Sequence, residues 1–247
     1  MMIMKWKDQV NRLRVLTPPL PWSKSVVDDS SSNEVVIMLH GLWRSSSSMQ
    51  PLAKYLFDKG YTTVRVPYPS FRYPLDELVR RVQLAILPWL ESGKNIHFVT
   101  HSLGGVIVKR LLEILTEDEL QNINRVVMLA PPHKGSEIVD WLKNSSMGPF
   151  KKVLGPAGDF LSSEKMSLLN DRFCSNVEPA VIMGNKSSLP FFRRLLDELN
   201  DGIVSVERGR VTGIKEFKVV DSDHTFMTCD DKVMQLTADF LKNGKCK

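Results

Sequence analysis

The sequence predicts an α/β protein built on a mostly parallel, doubly wound sheet with crossover helices. Short apolar, β-branched runs recur along the chain, and segments of helical period separate them. Most of these runs are almost continuously apolar, as expected for strands that are buried on both faces of a parallel sheet. A chain of 247 residues can bury a substantial core without a metal or disulfide staple. We therefore expect one domain that covers residues 1–247.

The predicted strands and helices alternate along the chain. The strands are Val35–His40, Thr62–Val66, Ile96–Thr100, Arg125–Ala130, Ala180–Gly184 and Glu216–Val220. The helices are Ser48–Lys59, which ends at Gly60, Pro74–Leu90, Leu103–Leu115 and Asp231–Leu241. Two serine-rich segments, Asp28–Asn33 and Ser45–Ser48, are predicted as loops. In such a sheet, ligands bind beyond the carboxyl ends of the strands.

Polar segments follow four of the predicted strands. They are HGLW (His40–Trp43), HSLGG (His101–Gly105), PPHKGS (Pro131–Ser136) and SDHTF (Ser222–Phe226). Because the carboxyl ends of parallel strands meet at one edge of the sheet, we expect these segments to form one site.

Ser102 stands where a buried strand turns into a helix, within NIHFVTHSLGGVIVKRLLEIL. Gly104 and Gly105 permit close approaches of the main chain at such a corner, which exposes the serine hydroxyl as a nucleophile. A serine directly before an apolar helix is also a common N-cap. The pattern therefore favours a nucleophile and leaves the capping role open.

A serine nucleophile needs a general base, which is usually a histidine oriented by a carboxylate. His224 is the best candidate, because it lies in a polar loop between the last strand and the last helix. Asp201, in the turn-forming sequence Asn-Asp-Gly, is the preferred acid, and Asp221 and Asp223 are alternatives. The resulting order of serine, aspartate and histidine is that of α/β-hydrolases.

The other histidines receive other roles. His101 adjoins the serine and is predicted to line the site, while His97 lies inside a strand and is predicted to pack in or cover the core. His40 and His133 follow strands and are plausible pocket residues, with His40 favoured as a hydrogen-bonding group in its turn. An oxyanion would be stabilised by the main-chain amides of Leu42 and Leu103, with Gly41 allowing close approach.

An insertion at about 137–178 breaks the alternation of strands and helices. It mixes apolar side chains with Gly, Pro and Ser, and it is predicted to be a small cap beside the site, with simple covering of the sheet edge as the alternative. The apolar side chains that could line an acyl site are Trp141, Phe150, Leu154, Phe160 and Leu161.

Composition excludes several classes of protein. The formal charge of +5 is scattered, which argues against a nucleic-acid-binding surface. Cys174, Cys229 and Cys246 have no metal-ligand spacing, so we expect reduced thiols, no metal and no cofactor. No apolar run reaches the length of a membrane span or a signal peptide, which predicts a cytoplasmic protein without membrane insertion.

Five motifs, in order, resemble those of the α/β-hydrolase superfamily, and in particular lipase- and esterase-like proteins related to lipid-anchor deacylases. The resemblance covers roughly Glu34 to Gly244 and rests on HGLW, THSLGGVIVKRLL, LAPPHKGSE, NDGIVSVE and DHTFM. It implies the same triad of Ser102, Asp201 and His224, and the same oxyanion amides. One departure is that Thr100 replaces the first glycine of the usual Gly-x-Ser-x-Gly elbow.

The motifs together predict a serine hydrolase that cleaves a carboxylic ester, lipid-like or acylated, through an acyl-enzyme. The substrate-binding candidates are Trp43, His101, His133, Trp141 and Phe160. A thioesterase or amidase could use the same triad, because the triad does not specify the leaving group. A binding module that retains the pocket without catalysis is the remaining alternative.

Overall fold

A parallel sheet with one antiparallel edge strand forms the centre of the molecule. The computed structural model describes residues 11–13, 15–16, 24–144, 148–170, 172–173, 176–187, 196 and 199–246, with the backbone alone for 148–153. Within these ranges the sheet has seven strands in the order β1-β3-β2-β4-β5-β6-β7. Only β1 runs antiparallel to its neighbour, and all the other pairs are parallel. The predicted fold class is confirmed.

The strands match the apolar runs of the sequence closely. Their bounds are β1 Val26–Asp28, β2 Glu34–Leu39, β3 Thr62–Val66, β4 Asn95–His101, β5 Ile123–Leu129, β6 Glu178–Gly184 and β7 Glu216–Val220. The central strands are buried almost throughout, as their continuous hydrophobicity predicts.

Helices connect the strands and cover both faces of the sheet. They are α1 Gln50–Asp58, α2 Leu75–Leu90, α3 Leu103–Ile114, α4 Glu117–Leu120, α5 Glu137–Asn144, α6 Gly148–Phe160, α7 Ser163–Met166 and α8 Asp231–Asn243. Helix α1 leads from β2 to β3 in one direction along the sheet, and α2 leads from β3 to β4 in the other. Because such crossovers are right-handed, α1 and α2 lie on opposite faces. Helix α8 packs with α1, and α3 packs with α2.

Two local predictions need correction. Ser45–Ser48 does not form a simple loop, because Ser46–Met49 is a 3₁₀-helix in which Ser46 and Ser48 are buried. The Ser48 hydroxyl donates to Ser45 O at 2.7 Å, so local hydrogen bonds satisfy polar groups that would otherwise be costly to bury. The sequence prediction also missed β1, whose three residues are too few to show a period.

The predicted insertion contains three helices in its described residues. Helices α5, α6 and α7 follow one another between β5 and β6. A kink divides α6 at Gly155, which has φ +65°. A β-carbon at Gly155 would stand 2.1 Å from Phe71 O, so only glycine allows this close contact with the loop before α2. The role of these helices as a cap remains a prediction.

Two other expectations concern the chain as a whole. Cys229 and Cys246 are free thiols, and Cys174 lies outside the described residues. Among the helices that the structure describes, none combines the length and the apolar character needed to cross a bilayer.

Candidate active site

Ser102 occupies a strained corner between β4 and α3. Its backbone has φ +52° and ψ −119°, a conformation that costs on the order of 1–3 kcal/mol for a residue with a side chain. Its side chain makes no capping hydrogen bond to α3, which removes the capping role that the sequence left open. The hydroxyl is therefore free of the helix, although the serine is only 7% exposed.

Neighbouring glycines make this corner possible. A β-carbon at Gly104 would lie 2.6 Å from Leu39 O, and one at Gly105 would lie 2.7 Å from the Pro131 side chain. Both distances are too short for real atoms, so α3 can begin this close to the neighbouring strands only with glycine at these positions.

Thr100 takes the place of the first elbow glycine without distorting the corner. Its side chain is fully buried, and its hydroxyl has no hydrogen-bond partner among the described residues. The Thr100 hydroxyl lies 3.5 Å from the position that a β-carbon would take at Gly105, an ordinary contact distance. Glycine at 105 is therefore required by the contact with Pro131 and not by the threonine side chain.

His224 is paired with Asp201. The His224 Nδ1 lies 2.7 Å from Asp201 Oδ2, and the Asp201 side chain is completely buried. A carboxylate only accepts hydrogen bonds, so His224 Nδ1 carries the proton and donates, which leaves the lone pair of the imidazole on Nε2. In this tautomer the ring can accept a proton at Nε2.

The loop around Asp201 holds the carboxylate in place. Its Oδ1 accepts hydrogen bonds from the amides of Ile203 (3.0 Å) and Val204 (2.8 Å), and its main-chain carbonyl accepts one from the His224 amide (3.0 Å). A β-carbon at Gly184 would stand 3.0 Å from Asp201 Cβ, so glycine at the end of β6 lets this loop pack closely.

The alternative acids lie elsewhere. Asp221 is exposed and faces Lys186 at 4.0 Å, and Asp223 accepts a hydrogen bond from the Phe226 amide at 3.0 Å. Asp201 makes the contact with His224 Nδ1, so the structure brings together the preferred pair from the sequence.

Ser102 and His224 line one cavity of about 240 Å³ at the carboxyl ends of the strands. Most of its wall is apolar, from side chains on the insertion and on the Asp201 loop: Ile138, Val139, Leu154, Leu161, Ile203 and Val204. Small-molecule sites are commonly apolar clefts with a few convergent polar groups, and this cavity has that character.

Two main-chain segments carry amides close to Ser102. Gly41 and Leu42 line it, and a β-carbon at Gly41 would lie 3.2 Å from Ser102 Cβ. Leu103 is the first residue of α3, so its amide has no acceptor within the helix. The geometry is thus compatible with an oxyanion site formed by the Leu42 and Leu103 amides.

His101 lies on the cavity wall beside His224. Its Nε2 is 2.8 Å from His224 O, and a carbonyl only accepts, so the Nε2 proton of His101 donates to it. Burial holds the pKa of His101 well below its usual range. Electrostatic repulsion from His224, Arg44 and His40 lowers this pKa further. His101 is therefore neutral and supports the His224 loop.

His40 is an architectural residue in the turn that it begins. Its ring stacks on Tyr68 with centroids 4.0 Å apart, and its Nδ1 lies 2.9 Å from Gly41 O. Burial lowers its pKa to about 4, so the ring is neutral at physiological pH.

His133, Trp141 and Phe160 do not line the cavity. His133 is buried with neither ring nitrogen hydrogen-bonded among the described residues, and Trp141 and Phe160 are half-buried. The Phe150 side chain lies outside the described part of the chain. Trp43 lines the cavity and stacks on Phe71 with ring centroids 4.6 Å apart.

Some residues of the wall escaped sequence reasoning. Ile203 and Val204 directly follow the acid, and this adjacency was the available signal. Arg44 was missed as well, because a single arginine after HGLW is indistinguishable in sequence from a solvent-exposed surface residue. In the described residues, no three His, Cys, Asp or Glu side chains are grouped as metal ligands.

A parallel sheet that gathers a serine, a histidine and a carboxylate at the carboxyl ends of its strands defines a recognisable class of α/β protein. The sequence model of the Alpha/beta hydrolase family matches residues 36–237. The chain belongs to this family.

A curated relative and two solved structures are similar to the chain. The lysosomal thioesterase PPT2-B of Xenopus laevis is 29% identical over 123 residues, which are 47% of this chain and 42% of that protein. The match thus spans about two fifths of the relative's length. The mature Bacillus licheniformis lipase BlEst2 has a TM-score of 0.70 at 18% identity, over 81% of this chain and 91% of that one. The metagenomic carboxyl esterase MGS0156 has a TM-score of 0.64 at 20% identity, over 83% and 67%. These two structures share the fold.

Proposed function

We propose that the protein is a serine hydrolase that cleaves carboxylic esters through an acyl-enzyme. The observation that carries the proposal is the buried Asp201–His224 pair beside the cavity that Ser102 also lines. The pair fixes the tautomer in which His224 Nε2 accepts a proton, and the corner at Ser102 turns the hydroxyl away from its helix.

In the proposed reaction, Ser102 Oγ attacks the ester carbonyl while its proton passes to His224 Nε2. The imidazolium that forms is stabilised by the Asp201 carboxylate, and the oxyanion by the amides of Leu42 and Leu103. The tetrahedral intermediate then expels the alcohol, which takes the proton from His224. Water, deprotonated by the same histidine, attacks the acyl-enzyme and releases the acid and the free serine.

The residues that contact the substrate follow from the cavity. Its apolar wall, including Leu154 and Leu161, is suited to an acyl chain, and His101 and Trp43 complete it. This chemistry needs no metal and no cofactor. Trp141, Phe160 and His133 have no part in this reaction, because they do not line the cavity.

Hydrolysis of a thioester is the second candidate, because the curated relatives that match are named thioesterases. The triad would act identically and expel a thiol in place of an alcohol. The comparison of kcat/KM for an oxygen ester and a thioester of the same acyl group would decide which bond is preferred.

Covalent labelling tests the proposal directly. A fluorophosphonate probe should modify Ser102 in the wild-type protein and leave the Ser102→Ala variant unlabelled. The Ser47→Ala variant, which alters a different serine, should still react. Failure of the wild-type protein to react would support a binding module and contradict the proposal.

A further inference from the structure

Arg44 brings a cationic side chain to the wall of the cavity that Ser102 lines. It ends a turn that is closed by a hydrogen bond from its amide to Gly41 O at 3.3 Å. Trp43, inside this turn, has φ +59° and donates its amide to Ser70 Oγ at 3.1 Å. The turn therefore fixes the point from which the Arg44 side chain leaves the main chain.

The guanidinium of Arg44 has no anionic partner within the described ranges. Burial lowers its pKa, and no nearby carboxylate opposes that effect. Seven of the ten other arginines among the described residues pair with carboxylates: Arg65 with Asp28, Arg80 and Arg81 with Glu77, Arg110 with Glu113, Arg125 with Glu178, Arg208 with Glu137, and Arg210 with Glu207. A half-buried cation without a partner costs folding free energy, which a bound anion would recover.

The groups that face Arg44 do not neutralise it. His101, whose pKa it helps to lower, is uncharged, and His40 is uncharged as well. Asp201 forms no ion pair with Arg44: one of its oxygens accepts from His224, and the other accepts from the amides of Ile203 and Val204. The cavity therefore combines an apolar wall with one uncompensated positive charge.

We propose that Arg44 is a specificity-determining residue that binds an anionic oxygen group of the substrate, a carboxylate or a phosphate, close to the bond that Ser102 cleaves. Guanidinium groups bind both anions through paired hydrogen bonds. Arg44 and Ser102 line the same cavity of about 240 Å³, so an anion that Arg44 holds inside this cavity would lie close to Ser102. The reference to a cleaved bond rests on the proposed function, whereas the binding of the anion does not.

Two esters with the same acyl chain, one anionic and one neutral, test the preference. The p-nitrophenyl monoester of glutaric acid carries a carboxylate, and its methyl ester is neutral. The ratio of kcat/KM for the anionic to the neutral ester should fall about tenfold or more in Arg44→Met, because a hydrogen bond to a charged group is lost. Arg44→Lys should restore part of the ratio.

Arg72→Met is the matched control, since Arg72 is an exposed arginine in the loop before α2 and does not line the cavity. It removes the same charge and should leave the ratio unchanged. An equal fall in both variants would assign the preference to general electrostatics and overturn the role of Arg44. An unchanged ratio in Arg44→Met would overturn it as well.

Competition distinguishes the two anions. Pentanoate and butyl phosphate are added as inhibitors of the hydrolysis of the neutral ester. The inhibition constant of the anion that Arg44 binds should rise about tenfold in Arg44→Met. Loss for one anion identifies the chemistry of the ligand. Loss for neither, while both inhibit the wild-type protein, contradicts the proposal.

Direct binding separates this proposal from the proposed function. Calorimetric titration of the Ser102→Ala protein with pentanoate or butyl phosphate needs no catalysis, and Arg44→Met in the same background should weaken binding. Binding that depends on Arg44, in a protein that hydrolyses no ester or thioester, would reject the hydrolase and retain the anion site. Hydrolysis by a protein whose anion binding does not depend on Arg44 would retain the hydrolase and reject the anion site.

Discussion

Two histidine–carboxylate pairs of nearly equal length lie at opposite ends of the sheet. At the carboxyl ends of the strands, His224 Nδ1 is 2.7 Å from Asp201 Oδ2, and at the amino ends His97 Nε2 is 2.8 Å from Glu34 Oε2. Both histidines are buried, and each pair joins a ring to an acid from a distant part of the sequence. The distance between the partners does not distinguish a candidate catalytic pair from a structural one.

The surroundings of the two pairs differ. His224 lines the cavity with Ser102, whereas the second nitrogen of His97 is buried without a hydrogen-bond partner among the described residues. The cavity near Glu34 is larger, at about 500 Å³, and Tyr61, Lys59 and Asp239 line it in place of a serine nucleophile. In the proposed reaction the His224 pair is the one that acts, because loops at the carboxyl ends of the strands place it in the same cavity as Ser102.

Ser102→Ala should have the largest effect, because it removes the nucleophile from the His224 end and leaves the His97 end untouched. Loss of the equivalent serine in a protease lowers kcat about 10⁶-fold, and we expect a loss of that order for ester hydrolysis. The melting temperature should stay close to that of the wild-type protein, because the side chain makes no capping bond. Activity within tenfold of the wild-type value would exclude Ser102 from the reaction.

Asp201→Asn and Glu34→Gln compare the two acids directly. Asp201→Asn should lower kcat about 10⁴-fold, because an amide favours the wrong histidine tautomer and does not stabilise the imidazolium. Glu34→Gln should leave kcat unchanged and lower stability alone. Steady-state kinetics and thermal melting of both variants test this contrast. A larger loss of kcat in Asp223→Asn than in Asp201→Asn would refute the assignment of the acid.

His133 sharpens the comparison, because it is a buried histidine without any carboxylate partner. Burial, and then the charge of Lys109, lowers its pKa from 6.5 to about 3. Between these values the unfolded chain binds a proton that the folded chain does not, so the wild-type protein loses stability as the pH falls below 6.5. At pH 5 this loss amounts to about 2 kcal/mol.

His133→Leu should remove that part of the pH dependence. The free energy of unfolding of the variant, relative to the wild-type protein, should therefore rise by about 2 kcal/mol between pH 7 and pH 5. Denaturant unfolding at both pH values measures the difference, and Arg72→Met is the control for a change of charge. The same relative stability at both values would show that His133 titrates normally in the folded protein.

Leu161→Ala should have the smallest effect and concerns only the wall at the His224 end. Each buried methylene of an acyl chain contributes about 0.8 kcal/mol, so kcat/KM should rise with acyl length until the wall is filled. Leu161→Ala should flatten this rise, and p-nitrophenyl esters of graded length measure it. Phe160→Ala tests the prediction from sequence, since Phe160 does not line the cavity. If Phe160→Ala flattened the dependence of kcat/KM on acyl length more than Leu161→Ala does, the acyl chain would contact residues beyond the cavity wall.

The sequence predicted the framework of the site with particular success where chemistry restricts the residue type. Gly104 and Gly105 marked the corner because no other residue fits the contacts with Leu39 and Pro131. The Asn-Asp-Gly turn marked Asp201, whose Oδ1 indeed accepts two amides of its own turn. Asp201 could be preferred over Asp223 because an acid so close to His224 in sequence rarely reaches the far nitrogen of the ring.

The wall of the cavity was harder to predict. Of the apolar candidates in the insertion, Leu154 and Leu161 line the cavity, whereas Trp141 and Phe160 do not. Ile138 and Val139 also line it and were not among the candidates. Which face of a short helix is turned to a site depends on its contacts with other segments, such as that of Gly155 with Phe71. Local hydrophobicity contains no information on such contacts.

The sequence by itself determined the class of fold and the polar segments that follow the strands, because buried strands need apolar runs and tight corners need glycine. Only the tertiary structure showed that His97 pairs with Glu34, which side chains form the cavity wall, and that Arg44 stands without an anionic partner among the described residues. The physical reason is that ion pairing and cavity shape depend on distances between segments far apart in sequence. Those distances are set by the packing of loops and helices on the sheet.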